Sequence, residues 1–347
     1  MQTAFRTKEK VIFRYAAASG VISGLAGLGV YLNNQPTPIT GRHSIGIVVS
    51  LISTFIALYA FTYYSHGVLS KNNIVKRRWT KLVNALTIGV AFGLITFITT
   101  LISGFAVAGS FKGLTFDPWT AGAITAASTA FITYVILSIA SSYKVQYAVY
   151  ALLCVMVGGM SVSMITNQTT NWWQVNISNL GTDVATNQTF FNITLIYSGL
   201  IILALTTGVF GLYRKWYEKE IGKTKYQIAY VLVMLMGIFL AFVGLFHYEE
   251  GTILVQLHNA SAGLLGVAAV ILMGSLKWLI PVFSNEMYIY SWLTAGAMAV
   301  FFWMMANGIY FSLTGMEVID FVIGGAWLII FLRHILQYGA ADVSAKS

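Results

Sequence analysis

The sequence predicts an all-α, polytopic integral membrane protein with about ten transmembrane helices and both termini in the cytoplasm. Its 347 residues are 57% hydrophobic and only 9% charged, and the mean hydropathy is +0.75. Because a soluble domain has about 25% charged residues, most of these side chains would find no place on a water-facing surface. The composition, with Cys154 as the single cysteine, excludes a disordered chain, a secreted disulfide scaffold and a cytosolic enzyme.

Ten apolar segments are each long enough to span a bilayer. A hydrocarbon core about 30 Å thick requires roughly 20 residues of helix, and a helix satisfies its backbone hydrogen bonds internally. The predicted spans are 11–32, 45–65, 82–108, 121–142, 145–166, 193–213, 227–247, 258–280, 287–310 and 317–336. All four prolines fall between these segments, as expected because proline removes a helical hydrogen-bond donor.

The Lys and Arg residues predict the orientation of the spans. Of the 20 Lys and Arg residues, all but Arg42 and Lys112 fall on one side of the ten spans, which is cytoplasmic by the positive-inside rule. Orientation and anionic lipid therefore explain the net charge of +9, and no nucleic-acid partner is predicted. The basic N-terminus precedes a full-length span without a small-residue cleavage site, which indicates a retained helix rather than a signal peptide.

Two features mark the outer side of the chain. Asp117 followed by Pro118 is typical of a helix N-cap with proline at the first helical position, which predicts the start of the fourth span. Acidic residues outside the basic loops lie mostly on this outer side. We therefore expect the functional chemistry there.

The longest outer loop, 167–192, has no Lys or Arg. Its Trp172 and Trp173 are expected at the headgroup level, which indole prefers. Asn-x-Ser/Thr acceptors, which would be glycosylated only in a eukaryotic secretory pathway, occur at Asn167, Asn176, Asn187, Asn192 and Asn259.

Two sequence elements resemble a known family. The first is Ser178-Asn179-Leu180-Gly181 with Phe191-Asn192 at a helix start, and the second is Gly244-Leu245-Phe246 with a short acidic loop and His258. They are similar to the Ser-x-Leu-Gly, Phe-Asn and helix-start histidine motifs of an uncharacterised family of bacterial and archaeal polytopic membrane proteins, itself distantly similar to the Frag/DRAM/Sfk group. The resemblance covers roughly 172–336 and implies a six-helix core without an agreed activity. The acidic residue that usually follows the motif serine is Asn179 here.

The resemblance also suggests how the chain is divided. Residues 1–166 form an N-terminal five-helix extension, 167–192 the outer loop, and 193–347 a C-terminal five-helix part, which span five joins to complete the six-helix core. Together with the absence of eukaryotic sorting signals, the resemblance favours a bacterial plasma membrane.

Two histidines and two carboxylates form the first candidate site. His247 and His258 lie at the outer boundary on either side of the loop that contains Glu249 and Glu250. Imidazole and carboxylate oxygen are suitable ligands for zinc or another divalent ion, and a His–carboxylate pair suits general acid–base catalysis. His247, His258 and Glu250 are thus candidate metal ligands, although their spacing matches no established motif. Alternatively, both histidines are interfacial residues bonded to a loop.

Ser178 is a second candidate. With His258 or His247 as base and Asp183 as orienting acid, it would be an activated nucleophile. Alternatively, Ser178 and Asp183 form local turns that cap a re-entrant loop, and the turn chemistry of Ser-Asn-Leu-Gly favours this interpretation. No G-x-S-x-G nucleophile motif supports the catalytic alternative.

Asp320 is the most informative single charge because it lies inside the tenth span. An ionised carboxylate costs about 2.5–3.5 kcal/mol at the bilayer centre, so it should face other helices or water. It is either a proton- or cation-coupling group beside a substrate cavity or a carboxylate stabilised by the positive end of its own helix. Asn307 and Tyr310, at the end of the ninth span, are placed to line the same cavity.

These residues lead to three hypotheses. The leading one is a protein that binds, and in its stronger form transports, an amphiphile or small solute through an outward-facing polar cavity. The second is an intramembrane metal-dependent hydrolase or transferase acting on a lipid-linked substrate, and the third is a receptor or accessory subunit. No cofactor is predicted, and the expected partners are membrane lipids, with another membrane protein or a second copy as alternatives. The candidate residues for binding or coupling are Ser178, Asp183, Asn192, His247, Glu249, Glu250, His258, Asn259, Asn307 and Asp320.

Overall fold

The computed structural model of the chain describes residues 2–71, 77–168, 171–182, 185, 188–249, 251–309 and 312–345. In this part of the chain, ten helices are long and apolar enough to cross a membrane. The prediction of an all-α polytopic membrane protein is therefore confirmed. Four residues named above, Asp183, Asn187, Glu250 and Tyr310, lie outside the described residues.

The long helices follow the predicted spans closely, because a continuous apolar run of bilayer length leaves helix as the only backbone solution. The helices are α1 (Gln2–Tyr31), α2 (Ile45–Lys71), α3 (Arg78–Ser110), α4 (Pro118–Ala140), α5 (Val145–Thr166), α6 (Gln188–Leu212), α7 (Arg214–Ile221), α8 (Lys223–Leu245), α9 (Ile253–Leu279), α10 (Asn285–Ala306) and α11 (Leu313–Ala345).

Short elements occupy some of the connections. Strands β1 (Thr37–Pro38) and β2 (Thr115–Phe116) pair antiparallel. In the outer loop, two 3-10 turns cover Trp172–Gln174 and Ile177–Gly181. Helix α7 replaces what the sequence indicated as a plain basic loop. It buries Tyr217 and Ile221, and an Arg214–Glu218 ion pair at 2.8 Å with i, i+4 spacing adds to its stability.

Most helices start a few residues earlier than predicted, and in α9 and α11 the difference changes the position of a candidate residue. Helix α9 begins at Ile253 rather than at His258, because the side chain of Thr252 caps its first turn. His258 therefore lies in the second turn of the helix. Helix α11 begins at Leu313, so Asp320 lies about two turns inside it.

The predicted N-cap of α4 is confirmed. The Asp117 carboxylate accepts hydrogen bonds from the backbone N–H groups of Trp119 at 3.0 Å and Thr120 at 3.1 Å, and Pro118 takes the first helical position. Hydrogen bonds from Thr120 and from the backbone favour the ionised form, so they hold the pKa of Asp117 below its usual value.

The first compact unit comprises Met1–Lys71 and Lys81–Lys144. Within it, α1, α2 and α4 contact one another. Small residues permit this approach, because a Cβ placed on Gly20 would lie 2.7 Å from the carbonyl oxygen of Ala126 on α4.

The second compact unit comprises Asn72–Thr80 and Val145–Ser347. Its six long helices contact one another in the order α5, α6, α8, α9, α10, α11 and back to α5, which makes a closed ring. The α6–α8 contact is very close, because a Cβ on Gly199 would lie 2.5 Å from the carbonyl oxygen of Gly237. At the cytoplasmic end, the buried Tyr217 of α7 donates a hydrogen bond to the carbonyl of Ile335 at 3.0 Å.

Candidate functional site

The outer end of the second unit is covered by the 3-10 turn Ile177–Gly181, which contacts α6 and α11. Two side chains hold this turn. The backbone N–H of Ile177 donates to the carboxylate of Glu317 on α11 at 2.7 Å, and Asn192 of α6 donates to the carbonyl of Gly181 at 2.9 Å. These two hydrogen bonds hold the 3-10 turn against α11 and α6.

Close backbone approach explains two glycines of this region. A Cβ on Gly181 would lie 2.5 Å from Oδ1 of Asn192 and 2.7 Å from the ring of Phe191. A Cβ on Gly244 of α8 would lie 2.5 Å from the backbone oxygen of Asn192. The short motifs that are distant in sequence therefore meet at one place, around the start of α6.

The same region brings Ser178 and His258 together. Ser178 Oγ lies 2.8 Å from Nε2 of His258, and Nδ1 of His258 lies 2.8 Å from the carbonyl oxygen of Phe246. A carbonyl only accepts, so Nδ1 carries a hydrogen, and in neutral imidazole Nε2 then accepts the hydroxyl hydrogen of Ser178. Both side chains are buried, with 6% and 3% of their surface exposed.

This arrangement has two of the three parts of a serine-type nucleophile. The base and the hydroxyl are in hydrogen-bond contact. The group that orients the imidazole is a backbone carbonyl, whereas the sequence suggested Asp183, which lies outside the described residues. The same contacts also pin the 3-10 turn to α9, so they serve a structural role as well.

The second histidine lies apart from this pair. His247 follows the end of α8, is 41% exposed, and faces the carboxylate of Glu249 at 3.4 Å. Tyr248 packs edge-on against the ring of His258, with the ring centres 5.8 Å apart. Among the described residues, no three His, Cys, Asp or Glu side chains are grouped to hold a metal ion. The proposed ligand Glu250 lies outside those residues.

Two further candidates are on the surface. Asn259, the residue after His258, is exposed. Asn307 is also exposed and donates to the carbonyl of Trp303 at 2.8 Å, at the C-terminal end of α10. The structure therefore gives both side chains a position accessible to solvent or lipid headgroups.

Asp320 lies on a partly buried face of α11. Glu317, Asp320, Gly324 and Trp327 follow one another at three- and four-residue spacing, which puts them on one helix face. Trp327 is fully buried and donates to the hydroxyl of Ser291 at 2.8 Å. Oδ1 of Asp320 is buried and has no hydrogen-bond partner among the described residues.

The described part of the chain contains further buried polar atoms that have no hydrogen-bond partner. Some lie near Asp320 in sequence or on helices that contact α11. Helix α11 contacts α5, α6 and the 3-10 turn, and α5 meets α6 where Gly159 faces Thr194. The atoms are Oγ of Ser163 on α5, Oγ of Ser198 on α6, Oγ1 of Thr314 on α11 and Oδ1 of Asn176 beside the 3-10 turn.

Sequence reasoning missed these residues for a physical reason. A serine or threonine in a transmembrane helix usually bonds the carbonyl one turn earlier, as Thr206 bonds Ile202 at 2.7 Å. The sequence does not reveal which hydroxyls depart from this rule. The sequence indicates Asn176 only as a glycosylation acceptor. In the folded protein Asn176 is 4% exposed, so its side chain is buried.

Comparison with known proteins identifies a family but no activity. No curated protein and no solved structure matches the chain. A family model described as a protein of unknown function, DUF998, matches residues 148–334, from within α5 to within α11. The likeness to the Frag/DRAM/Sfk group and the family specificity of the short motifs stay predictions. Because the match covers more than half of the 347 residues, the chain belongs to the DUF998 family of proteins of unknown function.

Proposed function

We propose that this multi-pass membrane protein binds a small solute or amphiphile that enters from the outer face into the interior of the second unit, and that it carries this molecule across the membrane. The supporting observation is the buried Oδ1 of Asp320, which has no hydrogen-bond partner among the described residues. The buried hydroxyls of Ser163 and Ser198, on helices that contact α11, extend the polar interior.

The energetics of unpaired polar atoms favour a ligand or water at this place. A buried polar group without a partner costs about 1–3 kcal/mol, and a charged one costs more. Such groups are rare in folded proteins and mark strain, function, water or an ion. In a membrane span, an ionisable side chain is retained mainly along solute and proton pathways. Asp320 is an ionisable side chain in a membrane span, and its buried Oδ1 has no hydrogen-bond partner among the described residues.

The test is the accessibility of introduced cysteines to a water-soluble thiol reagent. In a Cys154→Ala background, Ser198→Cys should react with 2-aminoethyl methanethiosulfonate added to the outer side of proteoliposomes. Ser198 lies ten residues from the outer end of α6, about 15 Å deep, so only a polar path would admit the reagent.

Val233→Cys is the matched control, since Val233 is fully buried on α8 about 18 Å from its outer end. We expect reaction at position 198 and none at 233. Equal reaction at the two positions, or none at 198, would contradict a polar interior open to the outer side.

The contact between Ser178 and His258 favours a second candidate, an acyl hydrolase or transferase acting on an ester at the outer leaflet. In this reaction Ser178 Oγ attacks the ester carbonyl while its proton passes to Nε2 of His258. The alcohol leaves with that proton, and water or an acceptor alcohol then takes the acyl group by the reverse path. The 2.8 Å Oγ–Nε2 contact is the observation behind this candidate.

Covalent labelling tests the second candidate. A fluorophosphonate probe should label the wild-type protein, and Ser178→Ala and His258→Gln should each abolish the label. Ser261→Ala is the control, because Ser261 is a buried serine on the same helix that bonds the carbonyl of Leu257. Persistent labelling of Ser178→Ala would leave the Ser178–His258 contact a purely structural one.

A metal-dependent version of this chemistry, and a receptor or accessory role for the outer loop, stay predictions. Elemental analysis of the purified full-length protein tests the first, and co-purification of a stable partner tests the second.

A further inference from the structure

We propose that the group recognised beside Asp320 is a cation, either a monovalent metal ion or a protonated amine. This inference rests on the proposed solute-binding function and names the chemical class of the ligand. It is carried by one juxtaposition: buried acceptor atoms without partners among the described residues, in a half of the unit whose sequence has no Lys or Arg.

The outer half of the second unit offers Asp320 no lysine or arginine counter-ion of its own. No Lys or Arg occurs in 145–213, 226–276 or 278–332. These ranges contain the outer halves of all six long helices of the second unit and the loops that join them on the outer side. The Lys and Arg residues of the unit lie at the opposite ends of the helices, beyond the reach of Asp320.

The histidines do not supply the missing charge in the described structure. Both ring nitrogens of His258 are already in contact, with Ser178 and with the carbonyl of Phe246. His247 is exposed and faces Glu249. Asp320 is therefore left without a partner from the protein's own basic groups in the described part of the chain.

Each of the unpaired atoms can accept a hydrogen bond or coordinate a cation. Oδ1 of Asp320 and Oδ1 of Asn176 are acceptors, and the hydroxyls of Ser163, Ser198 and Thr314 also offer lone pairs. Asn176, Ser163 and Ser198 are 4%, 2% and 0% exposed. What this set lacks is a positive charge facing its lone pairs. A metal ion provides that charge, and an ammonium group provides it together with N–H donors, whereas an anion would be repelled by the carboxylates.

Glu317 completes the acceptor set from the outer side. One of its oxygens accepts the N–H of Ile177 at 2.7 Å, and it lies one turn before Asp320 on the same helix face. The two carboxylates thus follow each other inward along α11. A cation that enters from outside would meet Glu317 before Asp320.

The first experiment compares reagents of opposite charge at one position. The Ser198→Cys variant in the Cys154→Ala background is treated with the cationic 2-aminoethyl or the anionic 2-sulfonatoethyl methanethiosulfonate. Each rate is divided by the rate at Gln174→Cys, an exposed loop position. We expect the ratio of the cationic to the anionic reaction rate to be on the order of tenfold higher at position 198 than at position 174. Asp320→Asn should remove most of this preference for the cationic reagent. Glu286→Gln, which removes an exposed carboxylate at the start of α10, at the opposite end of the unit, should leave it unchanged.

The outcomes separate this inference from the function on which it rests. Suppose that Ser198→Cys reacts with both reagents at the same cation-to-anion ratio as Gln174→Cys. The proposal of a polar interior would then stand, and the proposal that the ligand is a cation would be overturned. Failure of both reagents to react would contradict the polar interior itself.

A second measurement needs no cysteine. The thermal unfolding temperature of the wild-type protein is compared in sodium chloride, ethylammonium chloride and N-methylglucamine chloride at equal ionic strength. We expect the unfolding temperature to rise in at least one of the first two, by mass action on the folded state, and Asp320→Asn to abolish the rise. A rise with sodium alone identifies a metal ion, and a rise with ethylammonium alone identifies an amine. An unfolding temperature equal in all three salts would overturn the proposal.

Discussion

The two compact units use polar side chains inside their helices differently. In the first unit, hydroxyls bond one another across helix contacts at 2.8–2.9 Å: Ser19 with Thr133, Tyr31 with Thr125, and Thr100 with Ser50. In the second unit, a carboxylate lies two turns inside α11 with one oxygen unpaired among the described residues. The first pattern joins helices, and the second leaves capacity for a ligand.

Unpaired hydroxyls alone do not distinguish the units, because Ser53 and Thr129 of the first unit are also buried without a partner in the described structure. A hydroxyl has both a hydrogen and lone pairs, so it can pair with either a donor or an acceptor. An ionised carboxylate has only lone pairs and a full charge. What sets the second unit apart is therefore the carboxylate of Asp320 rather than its unpaired hydroxyls, and this is why the proposed site is centred there.

The largest expected effect is at the histidine that ties the second unit together. His258→Ala removes two hydrogen bonds at 2.8 Å and a buried ring, so we expect the free energy of unfolding to fall by about 3 kcal/mol or more. Reversible unfolding in mixed micelles measures it. His247→Ala is the control, since that exposed side chain should change stability by less than about 0.5 kcal/mol. Equal effects of the two variants would mean that the buried contacts do not hold the loop.

A smaller effect is expected when one polar group is removed from each unit. Tyr31→Phe removes the buried bond to Thr125 and should cost about 1 kcal/mol. Asp320→Asn, measured in N-methylglucamine buffer, should leave stability unchanged or raise it, because removing an uncompensated buried charge relieves a desolvation penalty. If Asp320→Asn destabilises the protein as much as Tyr31→Phe does, the carboxylate is paired within the protein and the contrast between the units fails.

The smallest effect concerns the cap of α4. Because hydrogen bonds lower the pKa of Asp117 in the folded state from its ordinary value of 3.8, its contribution to stability is present above that value and is lost as the pH falls through the lower folded pKa. We expect the wild-type protein to lose slightly more stability than Asp117→Asn on acidification below pH 3.8. Thermal unfolding between pH 3 and 6 measures this, and identical pH profiles would contradict a role for the ionised cap.

The sequence predicted the spans well because they follow from local chemistry. Apolar length determines the helices, and Asp117 with Pro118 determines a helix start. The prediction starts α9 at His258, five residues late. The helix already includes Ile253 to Leu257, and Thr252 rather than His258 marks its boundary.

The candidate site was less predictable because it depends on contacts between distant residues. Ser178 and His258 were two of several alternatives, and 80 positions separate them in the sequence. The carbonyl of Phe246 as the partner of His258 leaves no signal in a residue pattern, because every residue has a carbonyl. The catalytic, metal and coupling roles of these residues stay predictions.

Helix α11 is fastened at both of its ends. Near the outer end Glu317 accepts the N–H of Ile177, and near the inner end the carbonyl of Ile335 accepts the hydroxyl hydrogen of Tyr217. The helix that carries Asp320 is therefore held to the outer loop at one end and to α7 at the other. If the second unit carries a solute as proposed, any displacement of α11 would break one or both of these hydrogen bonds.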